Sequence, residues 1–211
     1  MAGHFEATPG GGAAVALDEV EIAILRSLAV QLLELIGPGD EPAEGEDPLA
    51  ALFAEGPSEP PSDPAVARLF PEAYGDEDSE LRAASAEFRR FTENDLRTRK
   101  RDDALVVVRT LDALTPPSEG ASRGDSGKGA GGPMAGGAAV LTLTPDECRS
   151  WLGTLNDLRL TIGTRLEVSD EDGGEDGSLY RLPDSDPRKP MVMAYLWLGA
   201  LQETLVETLM P

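Results

Sequence analysis

The sequence predicts a mainly α protein: a helical bundle of four main helices with a small N-terminal β-hairpin and a candidate third short strand. Three observations carry this expectation. Apolar residues recur at helical spacing in four long stretches. Two of those stretches open on a capping-box pattern, in which a cap and a Glu three residues later satisfy each other's backbone amides. Segments rich in Gly, Pro, Ser and acid separate them, and the extended runs between are short.

Taken in order, residues 4–8 (HFEAT) and 13–17 (AAVAL) flank Pro9-Gly10-Gly11-Gly12, the pattern of two strands around a Gly-rich turn. Asp18 and Glu21 then form a capping box, and Leu17, Val20, Ile24, Leu28, Leu32 and Leu35 follow helical spacing until Gly37-Pro38-Gly39. Residues 37–63 are linker in composition, with a short amphipathic helix expected at 48–56. Asp63-Pro64 begins another short helix, stopped by Pro71, with Leu69, Phe70 and Tyr74 expected to anchor it.

Residues 78–113 read as one long helix, with a bend expected near Asn94. Leu81, Phe88, Phe91, Leu96, Leu105, Val108 and Leu111 are its apolar positions. A second linker covers 116–138, and Ala139–Leu143 is a strand that pairs most simply with the hairpin.

Thr144 to Leu166 is the stretch around which the rest is organised. Thr144 caps, Pro145 suits the first helical position, and Glu147 closes the second capping box. Trp151, Leu152, Leu155, Leu158 and Ile162 form an apolar face, and Asn156, Asp157 and Arg159 are wedged within it. An acidic third linker runs over 168–186. Asp186 is the expected cap of the last helix, with Pro187 and Pro190 in its first turn. Trp197, Leu201, Leu205 and Leu209 are natural partners for the Trp151 face. The chain is read as a single domain, 1–211, with these three flexible linkers.

Composition excludes several functions. The net charge of -21 argues against nucleic-acid binding, which needs basic surface to neutralise phosphate, and against anionic membranes. No apolar run reaches the length of about 20 residues that spans a bilayer, and the first residues lack a signal-peptide pattern. With one cysteine, Cys148, no intramolecular disulfide is possible. A cytoplasmic protein is the expectation.

The candidate sites each have a plain structural alternative. Asn156, Asp157 and Arg159 suit a charged binding site, or a buried polar network with another helix, which is the default for polar groups among leucines. Cys148, in the first turn of its helix beside Arg149, suits a reactive thiol; Asp146, Glu147 and burial oppose that. Arg97, Arg99, Lys100 and Arg101 form the one concentrated basic run, a candidate partner-docking face or else partners for nearby acids such as Asp95, Asp102 and Asp103.

Asp170 to Asp176 lacks the spacing of an EF-hand, and Gly124 to Gly132 fails as a phosphate loop. The chain holds one histidine, His4, and carries no metal-ligand spacing or nucleophile–base signature. No cofactor is expected. A small enzyme built on carboxylates around Asp157 stays open as a third reading.

Trp151, Leu155-Asn156-Asp157-Leu158-Arg159-Leu160, Gly163-Thr164-Arg165-Leu166, Tyr195-Leu196-Trp197-Leu198 and Leu201-Gln202-Glu203 with Leu205 together resemble the AosR-like family of actinobacteria, a family catalogued as a domain of unknown function. Asp47-Pro48-Leu49 with Leu52, and Asp63-Pro64 to Leu69 before Tyr74, extend the resemblance over most of the chain. Trp151, Asn156, Asp157, Arg159, Thr164, Tyr195, Trp197 and Gln202 are its signature positions and are expected to be structural. The resemblance implies a non-enzymatic regulator that raises oxidative-stress transcription by binding an extracytoplasmic-function sigma factor. The alternative it implies is an interaction module in ClpS-linked regulated proteolysis. The family's switch is understood as an intramolecular disulfide, and Cys148 here has no second cysteine to pair with.

Overall fold

The computed structural model describes residues 3–38, 56–74, 78–114, 138–168 and 181–210. Within them the fold is mainly helical, with a small three-stranded antiparallel sheet. In chain order the elements are β1 (Glu6–Ala7), β2 (Ala13–Leu17), α1 (Glu19–Ile36), α2 (Pro64–Leu69), α3 (Ser79–Asp112), β3 (Ala139–Leu143), α4 (Pro145–Arg165) and α5 (Lys189–Leu209).

The hairpin and third strand form as expected, in the order β1-β2-β3, with Ala13 opposite Leu143 and Leu17 opposite Ala139. Gly10 and Gly11 make the turn at positive φ, which other residues resist. Ala13, Val15 and Leu17 alternate inward on β2, as do Leu141 and Leu143 on β3, so one face of the sheet is core.

Local side-chain chemistry sets the helix starts. Asp18 with Glu21, and Thr144 with Glu147, both close as capping boxes. Asp63 accepts from the amides of Ala65 and Val66 at the start of α2. Gly37, at φ 82°, ends α1.

α4 is the hub, packing against α1, α2, α3, α5 and β3. Cys148, Trp151, Thr154, Leu155, Asp157, Leu158 and Thr161 are all buried, so burial covers about half of the helix circumference. Phe5 packs edge-on against Trp151 at 6.0 Å between ring centres, and Trp151 donates its indole N–H to Thr110 on α3 at 3.0 Å. Leu198, Leu201 and Leu205 of α5 join the same core, with Trp197 and Leu209 partly buried against it.

Four expectations are corrected. The buried stripe of α1 is Leu25, Ala29, Leu32 and Ile36; Val20 and Ile24 are exposed, because the apolar arc is broad and the core takes the neighbouring side of it. On α3 the aromatic positions face out: Phe91 is 64% exposed and Phe88 48%. The inward stripe in that half is Ser85, Arg89 and Glu93, and only past it do Ala104, Val107 and Leu111 supply apolar burial. Asp186 does not cap α5. It accepts from the amide and guanidinium of Arg188, and α5 begins at Lys189 with only Pro190 in its first turn. Of the three anchors after α2, Leu69 and Phe70 are buried, whereas Tyr74 is 48% exposed and meets Phe88 edge-on.

α3 runs unbroken through Asn94. Residues 56–63, expected as linker, are held: the Gly56 amide bonds the Arg90 carbonyl at 2.8 Å. Apart from Gly56 the short helix expected at 48–56 lies outside the described residues, as do 116–137 and 169–180.

Candidate functional site

The polar wedge of α4 divides between two interfaces. Asp157 and Arg159 are two residues apart, so they leave the helix about 200° apart and face different neighbours. Asp157 faces α3, where it accepts from Lys100 at 2.7 Å, with both side chains largely buried. Burial pushes the Asp157 carboxyl above its ordinary range; the Lys100 ammonium works against that shift and the Asp103 charge adds to it. Asn156 lies exposed between the two.

Arg159 faces α5. It donates to the Gln202 side-chain oxygen at 2.6 Å and lies over the Tyr195 ring at 5.3 Å. The guanidinium lies beside Gly199, where a Cβ would stand in contact with it, 3.4 Å from its Nε. That Nε is buried without a partner among the described residues, as is the indole nitrogen of Trp197. Thr164 donates back to the Leu160 carbonyl at 2.8 Å within α4. The signature therefore ties helices together, with Trp151, Asp157 and Arg159 as the cross-links.

The basic run of α3 does not form one free face. Arg97 and Arg101 donate to the carbonyls of Ile36 and Gly37, so two cations close the C-terminal end of α1, where the helix dipole favours them. Arg97 also bonds Glu93 at 2.6 Å and stacks over Phe70 at 4.5 Å. Lys100 is committed to Asp157. Of the four, Arg99 is left exposed to solvent. The docking face expected at Arg97, Arg99, Lys100 and Arg101 is thus mostly internal. The partners are Glu93, Asp157 and carbonyls of α1 rather than Asp95, Asp102 or Asp103.

Arg89, Glu93 and Glu72, none of them singled out as a site from the sequence, complete this network. Arg89 is 4% exposed and bonds the Phe70 carbonyl, Glu93 and, at 3.2 Å, Glu72. The spacing of Arg89, Glu93 and Arg97, each four apart on one helix, was the available signal. Arg68 carried no such signal: it is placed by α2 at a cleft of about 560 Å³ that Arg159, Gly163, Thr164 and Tyr195 also line.

Cys148 is fully buried. Burial pushes its thiol up, Glu147 adds to that, and the backbone amides of Ala13 and Cys148 oppose it. Arg149, the neighbour expected to activate it, pairs instead with Asp146. Among the described residues, no group of three or more His, Cys, Asp or Glu is placed to hold a metal ion. Among them also, no helix is long and apolar enough to cross a membrane.

The profile of a family described as a domain of unknown function (DUF2017) matches residues 2–209. An AosR protein of Mycobacterium leprae is 28% identical over 204 residues, covering 90% of this chain and 79% of the relative. The oxidative stress regulators AosR of Mycobacterium bovis and Mycobacterium tuberculosis are each 27% identical over 201 residues, covering 90% of this chain and 78% of the relative. No solved structure matches the chain.

Proposed function

This chain belongs to the DUF2017 family, and from that premise we propose that it is a non-enzymatic regulator of oxidative-stress transcription that binds an extracytoplasmic-function sigma factor. The observation that carries the reading is the relationship, over 90% of this chain, to proteins named as oxidative stress regulators. Charge supports the kind of partner. A chain of net charge -21 associates most readily with a basic surface, and proteins that contact DNA carry such surfaces.

The docking surface moves from the basic run to the solvent side of α3. Phe88, Phe91 and Leu96 are exposed there, with Tyr74 against Phe88. Aromatic residues left in water on one helix side are the composition of a protein-binding patch, with Arg99 on the same helix. The buried, up-shifted thiol of Cys148 favours a regulator whose oxidation signal arrives by another route.

The test is genetic complementation. Deleting the gene should lower peroxide-induced transcripts, and the wild-type chain and Cys148→Ala should restore them equally. Unchanged transcripts on deletion would reject the regulatory reading. Accumulation of protease substrates in their place would favour the proteolysis-linked module.

A further inference from the structure

We propose that the cleft between α2, α4 and α5 binds a small oxyanion, a carboxylate or phosphate carried on a compact apolar body. Two arginines line it, and neither meets a carboxylate among the described residues. Arg68, exposed on α2, has no hydrogen bond or ion pair there. Among the described residues Arg159 meets only neutral groups, the Gln202 oxygen and the Tyr195 ring, and its Nε is buried without a partner there.

Six other arginines differ from these two, whereas Arg99, Arg101 and Arg109 likewise meet no carboxylate among the described residues. Arg26, Arg89, Arg97, Arg149, Arg165 and Arg188 each pair with an Asp or Glu. In a chain with 39 acidic and 18 basic residues, two cations share this cleft with no acid partner among the described residues. Glu167 is the single acid lining it among the described residues.

The geometry suits a small molecule. The cleft measures about 560 Å³, within the range of about 300–1,000 Å³ typical of such pockets. Leu160, Val168 and the Tyr195 ring give it apolar wall, and guanidinium forks match the planar oxygens of a carboxylate or phosphate. Gly163 lets the Tyr195 ring lie against α4, because a Cβ there would stand 3.3 Å from the ring. A net charge of -21 repels an acidic macromolecule over its whole face, whereas a small anion meets only the local arginines.

The experiment is a nuclear magnetic resonance titration of the full-length protein with benzoate, phenyl phosphate and the neutral control benzamide. Saturable shifts of the Gly163, Thr164 and Val168 amides are expected with the anions and not with benzamide. A response to benzoate alone identifies a carboxylate ligand, and one to phenyl phosphate alone a phosphate ligand. Arg68→Gln, which alters an exposed side chain without partners among the described residues, should weaken binding about tenfold or more. No saturation below about 20 mM of either anion, equal shifts with benzamide, or unchanged affinity in Arg68→Gln would overturn the proposal.

Discussion

Lys100 of α3 and Asp157 of α4 stand 2.7 Å apart, ammonium to carboxylate, across the interface of the longest helix with the hub helix. Asp157 is 3% exposed. Removing one member of such a pair leaves the other buried and uncompensated. Lys100→Met is expected to cost about 3 kcal/mol at neutral pH by urea denaturation. A cost below the noise would mean that water reaches the carboxylate.

The same pair gives a pH dependence. The Asp157 carboxyl is raised in the folded state, first by burial, so the folded chain holds that proton more tightly than the unfolded one. Its contribution to stability is therefore full below the ordinary carboxylate range and is lost as pH rises through the raised value. Asp157→Asn should remove this fall, seen as a flatter stability profile as pH rises above the ordinary carboxylate range. An identical profile in wild type and variant would assign the titration elsewhere.

On α3, hydropathy and burial run opposite to each other. Phe91→Ser, at a position 64% exposed, should change stability by less than about 0.5 kcal/mol. Glu93→Ala, at a position 3% exposed, removes the buried carboxylate that Arg89 and Arg97 share and should cost about 3 kcal/mol. Thermal denaturation of the two variants side by side decides this, and a reversed order would overturn the observed helix rotation.

Cys148 should be a protected thiol. Its complete burial and raised pKa predict that a disulfide reagent labels it slowly in the native protein and fully within the mixing time in urea. Rapid native labelling would restore it as a redox candidate.

What was legible in the sequence was local. Asp18 with Glu21 and Thr144 with Glu147 are contacts three residues apart, and their geometry follows from residue type alone. The β3 partner was legible by simplicity, since the hairpin left one further strand to pair. The rotation of α3 was not legible, because apolar periodicity counts Phe88 and Phe91 as core and cannot see that Arg89 is neutralised by Glu93 and Glu72. Asp186 looked like a cap on composition, but its carboxylate is taken by Arg188 one turn before the helix begins. The signature residues of α4 were identified, yet their division between α3 and α5 depends on Lys100 and Gln202, far away in the chain. Arg68 lay in a short helix with nothing nearby to mark it.

The most direct test of the central claim is affinity capture of the tagged protein from its own cells, wild type beside Phe88→Ser/Phe91→Ser, with mass spectrometry of what binds. The account predicts a sigma factor enriched by the wild-type chain and lost from the double variant, which should remain folded because both positions are exposed. Protease components with no transcription factor, or a sigma factor retained equally by the variant, would contradict it.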